Sequence, residues 1–200
     1  MRMALTVVDD FYDDFEAIRA TALAAEYEDG VKTPQSGKYP GRNSRRSFGT
    51  REALEKLTVI AGSPVAFTPD IGSGHFRSTV AGDERPRNVH IDATQLSAVI
   101  YLNTQAQCDG RIGTCFWKHR PTGLLAAPAD PVERARLLRE QFAPDSNDKD
   151  KWELQMQVPL VPNRLILFSA SMFHSPHDEF GHDLATGRLI QVYFLTRVRG

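Results

Sequence analysis

Cysteine is scarce in this sequence, and long hydrophobic runs are missing. Only two cysteines, Cys108 and Cys115, occur among the 200 residues, too few for a four-cysteine zinc cluster or a disulfide framework. We expect free thiols in a reducing compartment, with a single disulfide as the alternative. The apolar run near the start, "ALTVV", is too short for a signal-peptide core or a membrane span. The sequence therefore predicts a cytoplasmic protein without a membrane segment.

An excess of positive charge is also missing. The formal net charge is −1 and the hydrophobic content is 41%, which is ordinary for a globular protein. A general nucleic-acid or membrane-surface binder would need a basic excess. We therefore expect a small-molecule or peptide substrate and no nucleic-acid or membrane partner.

The patterning predicts one domain, 1–200, of the α+β class with mostly β structure. Residues 1–62 read as a strand, two helices and a long loop at 28–50. Short strands separated by turn residues fill 63–198, with a helical insertion near 131–142. This order indicates a β-sandwich or barrel core. A simple antiparallel sandwich with no internal site is the alternative.

A histidine and an aspartate stand one residue apart in "RNVHIDATQLSAVIYLN". On an extended strand, His90 and Asp92 point to the same side. Such a pair is weak evidence alone, but another histidine, His174, follows a second apolar strand in "NRLILFSASMFHSPHDEFG". Two imidazoles and one carboxylate form the ligand set that non-haem Fe(II) uses when other positions must stay open.

Five motifs occur in a fixed order: "HID", "AVIYLN", "GRIGTCF", "NRLILFSASMFHS" and "GRLIQVYF". In this order the chain resembles the Fe(II)/2-oxoglutarate-dependent oxygenases, in particular their prolyl-4-hydroxylase-like branch, over about residues 85–197. The resemblance implies a double-stranded β-helix, a jelly-roll or cupin-like barrel, with N-terminal helices packed against it. Arg111 and Ile112 depart from the Gly-Gly pair of that family, which leaves the alignment of Thr114 open.

The resemblance places the Fe(II) ligands at His90, Asp92 and His174. His177, three residues further on, is the alternative distal ligand, although it follows Pro176 and reads as a loop residue. In halogenating relatives a small residue replaces the carboxylate, so Asp92 implies hydroxylation or a related oxidation.

The resemblance also implies a binding site for the co-substrate 2-oxoglutarate. Arg188 would pair with its distal carboxylate in a bidentate contact, while Arg164 is a competitor at the wrong end of its strand. Tyr101 would meet the same carboxylate, and Ser97 shares its face of the strand. A solvated strand-end arginine and a core tyrosine are the structural alternatives for Arg188 and Tyr101.

Four further residues are candidate substrate contacts. His119 and Arg120 end one predicted strand and either reach into the barrel mouth or are exposed. Arg42 and Arg45 lie in the 28–50 loop, which is either a substrate-covering lid or a solvated charge cluster.

The expected function is that of a dioxygenase that uses Fe(II), 2-oxoglutarate and O2 to hydroxylate an unactivated C–H bond. Its substrate would be a small molecule, an amino acid or a peptide. One alternative is a cupin-like binding protein without catalysis. Another is a zinc hydrolase on the same three residues, which would need a positioned general base.

Overall fold

The computed structural model describes residues 5–29, 32–33, 37–38, 41–83 and 88–198. Its strands are β1 (Leu5–Val8), β2 (Tyr27–Asp29), β3 (Lys32–Thr33), β4 (Gly37–Lys38), β5 (Arg42–Ser44), β6 (Val65–Phe67), β7 (Phe76–Thr79), β8 (Leu96–Tyr101), β9 (Ile112–His119), β10 (Trp152–Pro159), β11 (Leu165–Ser169), β12 (His174–Pro176) and β13 (Arg188–Arg197). Its helices are α1 (Phe15–Ala24), α2 (Arg51–Ala61), α3 (Gln105–Cys108), α4 (Pro131–Leu137) and α5 (Ala143–Asp145). Within these ranges, every helix is too short or too polar to cross a lipid bilayer.

The strands form a large and a small antiparallel sheet. The large sheet has the order β1-β11-β8-β13-β7-β5-β2, and β6 also pairs with β13. The small sheet has the order β10-β9-β12, while β3 and β4 pair only with each other. The mostly β prediction is confirmed. Within the described ranges, strand pairing does not close the two sheets into a barrel, so the double-stranded β-helix stays a prediction.

The alternation of side chains on β8 explains how the large sheet is covered on both faces. Leu96, Ala98 and Ile100 belong to the core cluster that includes residues of α1 and α2. Tyr101 belongs to a second cluster shared with the small sheet, and Val99 packs against that cluster. Because successive residues point to opposite faces, a strand covered on both faces is largely apolar, and the one polar residue of β8, Ser97, faces the site described below.

Both N-terminal helices begin at side chains that cap their first turn. Asp14 accepts a hydrogen bond from the Ala17 N–H at 3.0 Å, and Thr50 accepts one from the Ala53 N–H at 3.1 Å. The second helix ends at Gly62, whose φ of 65° is the left-handed conformation that favours glycine. These helices support the face of the large sheet that lies opposite the site described below.

The segment near 131–142 is helical, and it covers the outer face of the small sheet. It starts as α4 and continues as a π-helical turn at Leu138–Phe142. Leu137 and Phe142 pack with Trp117 and Trp152 in a third core cluster. The insertion therefore stabilises the sheet that carries one side of the site.

The long loop expected at 28–50 is corrected in part. Strands β2 and β5 pair with each other, and β5 joins the large sheet beside β7. The interpretation as a loop failed because Asn43 and Ser44 are polar and yet buried, so this stretch lacks the apolar alternation that marks a strand. Cys108 and Cys115 are not joined by a disulfide.

Candidate metal centre

An isolated antiparallel bridge brings two of the predicted ligand residues together. The His90 N–H donates to the His174 carbonyl at 2.9 Å, and the His174 N–H donates to the His90 carbonyl at 3.0 Å. The two imidazole ring centroids lie 4.4 Å apart as a result. Residues opposed in this way share one face of a sheet, so the bridge fixes both rings on the same side.

Backbone carbonyls orient the two rings. The Nδ1 atom of His90 lies 2.8 Å from the Asn88 carbonyl oxygen, and that of His174 lies 2.9 Å from the Met172 carbonyl oxygen. A carbonyl only accepts hydrogen bonds, so Nδ1 carries the proton in each neutral ring. Both Nε2 lone pairs are therefore free to bind a metal ion, as in many metal sites.

Asp92 completes the cluster. Its carboxylate lies 3.3 Å from the His174 Nε2 atom and 3.8 Å from the His90 Nε2 atom. The Ser97 hydroxyl donates to the carboxylate at 2.5 Å. One candidate ligand atom from each of His90, Asp92 and His174 lies within 4.8 Å of the others, which is close enough for all three to bind one ion.

Burial and neighbouring charge set the ionisation of this cluster. Burial lowers the pKa of His90 to about 4, with smaller electrostatic contributions from His174 and Arg77. Burial alone would raise the pKa of Asp92, but interactions with His174, His90 and Ser97 outweigh it and hold this pKa well below its ordinary value. A neutral imidazole and an ionised carboxylate are the forms that bind a metal ion.

The three candidate ligands lie in a pocket that also contains a buried arginine. Arg188 and Thr114 line this pocket together with the three ligands. Only 3% of Arg188 is exposed, so it is not a solvated strand-end residue. Its Nη2 atom donates to the Gly113 carbonyl at 3.1 Å, whereas its Nε atom is buried without a hydrogen-bond partner. This guanidinium is therefore an incompletely satisfied cation beside the cluster.

Tyr101 packs against the arginine. Its ring centroid lies 5.9 Å from the Arg188 Cζ atom, and its hydroxyl donates to the Thr114 hydroxyl at 2.8 Å. Burial raises the pKa of Tyr101 to about 12, so the hydroxyl stays protonated at neutral pH. Tyr101 is thus a neutral donor at the edge of the pocket.

Two residues weighed as alternatives lie apart from the cluster. The side chain of His177 is 41% exposed, and its Nδ1 atom lies 2.8 Å from an Asp178 carboxylate oxygen. Arg164 forms a two-pronged ion pair with Asp9, with N···O distances of 2.6 and 2.9 Å. His174 and Arg188, and not His177 and Arg164, therefore lie in the pocket with the other two candidate ligands.

His119 and Arg120, the candidate substrate contacts at the end of β9, lie outside the pocket. His119 is fully buried outside the pocket. Its ring nitrogens lie 2.9 Å from an Asp145 carboxylate oxygen and 3.0 Å from the Thr122 hydroxyl, so they are engaged within the protein. The Arg120 side chain is exposed, near Glu153. Neither residue is placed to meet a substrate beside the metal ligands, because their strand ends on the far side of the small sheet.

Arg42 and Arg45 are exposed and also lie outside the pocket. Arg45 lies 4.0 Å from Glu26, in a solvent-exposed ion pair. Residues 30–31, 34–36 and 39–40 of the proposed lid fall outside the described residues, so the lid stays a prediction.

The sequence interpretation missed Arg77, which lines the pocket with His90 and Asp92. The signal was the strand "HFRST", in which Arg77 and Thr79 share one face. A lone arginine on a short strand reads as solvent-facing, and only the sheet order reveals that this face is covered.

Two solved structures share the fold of this chain. The non-heme α-ketoglutarate-dependent carbocyclase SnoK from nogalamycin biosynthesis has 12% identity and a TM-score of 0.53, with 96% of this chain and 79% of SnoK covered. The epimerase SnoN from the same biosynthesis, also non-heme and α-ketoglutarate-dependent, has 15% identity and a TM-score of 0.50, with the same coverages of 96% and 79%. Likeness at such identity shows the fold alone.

The chain thus shares its fold with these two enzymes, and its site is a His-Asp-His cluster suited to a metal ion. The chain belongs to the family of unknown function DUF6445, whose profile matches residues 81–195. No curated protein matches the chain in sequence.

Proposed function

We propose that this protein is an Fe(II)- and 2-oxoglutarate-dependent dioxygenase that hydroxylates a C–H bond of a small molecule, an amino acid or a peptide. One observation carries the proposal: a His-Asp-His cluster and an incompletely satisfied buried arginine lie in a single pocket. The cluster suits the metal ion, and the arginine suits an anionic co-substrate.

The donor set of the cluster fits Fe(II). Two imidazoles and one carboxylate on one side of an ion leave several positions for co-substrates, an arrangement typical of non-haem iron oxygenases. Neither cysteine belongs to the cluster, which argues against a structural zinc site. His90, Asp92 and His174 would hold the iron, and Ser97 would fix the orientation of the carboxylate.

The surroundings of Arg188 fit 2-oxoglutarate. A buried guanidinium with an unpartnered N–H favours a carboxylate, and this contact is geometrically selective. The Thr114 hydroxyl, which accepts the Tyr101 O–H, offers a further donor beside it. Iron with 2-oxoglutarate and O2, when bound, would supply the oxidising power for an unactivated C–H bond, while the protein orients the reactants and excludes water.

The zinc-hydrolase alternative lacks support at this site. Apart from the three candidate ligands, the described residues that line the pocket include no further carboxylate or imidazole. The charged groups among them are Arg77 and Arg188, which are always protonated and do not serve as a general base.

An anaerobic spectroscopic titration tests the proposal. Fe(II) and 2-oxoglutarate added to the wild-type protein should give a weak visible charge-transfer band that Zn(II) does not give. Asp92→Ala should abolish the band, whereas His177→Ala, a matched change of a nearby histidine, should keep it. A band that survives in Asp92→Ala, or no band in wild-type protein that has bound Fe(II), would overturn the proposal.

Product analysis then identifies the reaction. A product that is heavier by one oxygen atom would support hydroxylation. An isomer would indicate the epimerisation named for SnoN, and a product lighter by two hydrogen atoms would indicate ring closure of the kind named for SnoK. Either of these outcomes would contradict the hydroxylase part of the proposal while leaving the metal site intact.

A further inference from the structure

A second polar group of side chains lies on the pocket face of the large sheet. Asn43 on β5 is directly opposite Arg77 on β7, and Arg77 is directly opposite Ile190 on β13. Arg77 and Ile190 both line the pocket. Directly opposed residues project to the same face of a sheet, so Asn43 lies on the pocket face as well.

The side chain of Asn43 is buried without partners. Only 4% of the residue is exposed, and neither its Nδ2 nor its Oδ1 atom has a hydrogen bond. A buried polar group without a hydrogen-bond partner destabilises the folded protein. An amide that is unsatisfied at both ends is therefore expected where a ligand supplies the missing donor and acceptor.

The neighbouring residue shows that this state is particular to Asn43. The Ser44 hydroxyl donates to the Arg46 carbonyl at 2.8 Å and accepts from the Phe76 N–H at 3.0 Å. Ser44 projects to the opposite face, away from the pocket. On β5, the Ser44 side chain thus has hydrogen-bond partners on one face of the sheet. The Asn43 side chain has none on the other face, which meets the pocket.

Arg77 gives this group a positive charge close to the metal ligands. Its guanidinium lies 5.4 Å from the centre of the Phe194 ring, and both residues line the pocket with His90. A guanidinium is a donor only, and its planar fork matches a carboxylate. Arg188 is a separate cation on β13, so two guanidinium groups line the pocket.

We infer that Asn43 and Arg77 form a substrate subsite for the α-carboxylate and α-amino group of an amino acid. Arg77 and the Asn43 Nδ2 group donate to the carboxylate, and the Asn43 Oδ1 atom accepts from the amino group. The inference rests on the proposed function and narrows its substrate class to α-amino acids. It makes Asn43 and Arg77 determinants of specificity, distinct from the residues that hold iron and 2-oxoglutarate.

A binding assay on the full chain tests the inference. The probes are the common L-amino acids and their α-amides, measured by saturation-transfer NMR on protein loaded with Zn(II) and 2-oxoglutarate. Wild-type protein should bind at least one amino acid and prefer it to its amide. Arg77→Gln and Asn43→Leu should each weaken that binding by about tenfold or more, the effect of losing a hydrogen bond to a charged group. Arg45→Gln, which removes an exposed arginine near Asn43, should bind as wild type does.

Two further variants and measurements keep folding separate from binding. Asn43→Asp places a carboxylate beside the predicted substrate carboxylate and should also abolish binding. Asn43→Leu removes the unsatisfied amide and should leave the melting temperature unchanged or raise it. When the Fe(II) protein is titrated with 2-oxoglutarate, the charge-transfer band should reach half of its maximum at the wild-type concentration in Arg77→Gln and in Asn43→Leu.

Three results would overturn the inference. The first is that wild-type protein shows no preference for an amino acid over its amide. The second is that Arg77→Gln and Asn43→Leu both bind the amino acid as wild type does. The third is that Arg77→Gln loses affinity for 2-oxoglutarate and keeps its affinity for the amino acid. Failure of the proposed function is distinguishable, because wild-type protein would then bind an amino acid through these residues without giving the band with Fe(II) and 2-oxoglutarate.

Discussion

Gly113 lies so close to Tyr101 that a Cβ atom at Gly113 would come within 2.4 Å of the tyrosine hydroxyl oxygen. The Gly113 carbonyl also accepts the hydrogen bond from Arg188. One glycine on β9 therefore sets the positions of both residues expected to hold 2-oxoglutarate. The segment "GRIG" departs from the Gly-Gly pair of the family that the chain resembles. It nevertheless contains Gly113, the glycine that this contact requires.

Gly113→Ala is expected to displace the Tyr101 ring and to weaken 2-oxoglutarate binding by about tenfold. Overpacking of this kind costs about 1–3 kcal/mol of stability, which urea denaturation would measure. The matched change Gly49→Ala, whose Cβ would lie 3.0 Å from the Phe67 ring outside the pocket, should leave 2-oxoglutarate binding unchanged. Equal 2-oxoglutarate affinity in wild-type and Gly113→Ala protein would contradict this assignment.

Arg188→Gln should raise the 2-oxoglutarate dissociation constant by about 10- to 100-fold, because a charge-assisted hydrogen bond contributes about 1.5–3 kcal/mol. The midpoint of the charge-transfer titration measures this effect. Arg164→Gln is the control, since Arg164 pairs with Asp9 at a distance from the cluster. A similar shift in both variants would mean that general charge, and not the position of Arg188, determines the affinity.

Ser97→Ala should lower the affinity for Fe(II) by about tenfold, because partners of metal ligands typically contribute 10- to 100-fold to metal affinity. The variant loses the hydroxyl that donates to Asp92. Metal affinity is measured by competition with a chelator. Ser171→Ala, which loses a buried hydroxyl paired with Ser169, should retain wild-type affinity; if it loses as much as Ser97→Ala, the effect is one of folding.

The metal-free protein should lose stability as the pH falls from about 6.5 to about 4. An unperturbed histidine binds a proton near pH 6.5, whereas His90 in the folded protein does so near pH 4. The unfolded chain therefore holds more protons in this window, and lowering the pH favours unfolding. At about 1.4 kcal/mol for each pKa unit, the loss from His90 amounts to at most about 3.5 kcal/mol.

Urea denaturation at several pH values measures this slope. His90→Gln should have a shallower slope than wild type between about pH 6.5 and 4, whereas His177→Gln should match wild type. Asp92 contributes mainly below this window, because the folded protein keeps its carboxylate ionised and the unfolded chain protonates it only near pH 4. Identical slopes in wild type and His90→Gln would show that burial does not hold this imidazole neutral.

Local patterns predicted the apolar part of the fold well. Strands β8, β11 and β13 are apolar runs bounded by turn residues, and each was predicted within a few residues of its observed ends. The spacing of His90 and Asp92, with His174 after a later apolar strand, was enough to propose the cluster. These features could be predicted because each depends on residues close together in the sequence.

The polar part of the pocket could not be predicted in the same way. Asn43 and Arg77 meet only because β5 and β7 pair across a long stretch of chain, and sequence periodicity contains no information about such pairing. His119 was expected either at the barrel mouth or at an exposed strand end, yet it is buried beside Phe142 and Trp152. Its burial depends on the insertion that folds over the small sheet, which is again a long-range contact.

Anomalous diffraction at the iron edge, from crystals grown anaerobically with Fe(II) and 2-oxoglutarate, would locate the metal ion and identify its ligands. We expect a single strong peak bonded to the Nε2 atoms of His90 and His174 and to the Asp92 carboxylate, with 2-oxoglutarate density extending toward Arg188. A peak at another group of residues, or iron bound without either histidine, would contradict this expectation.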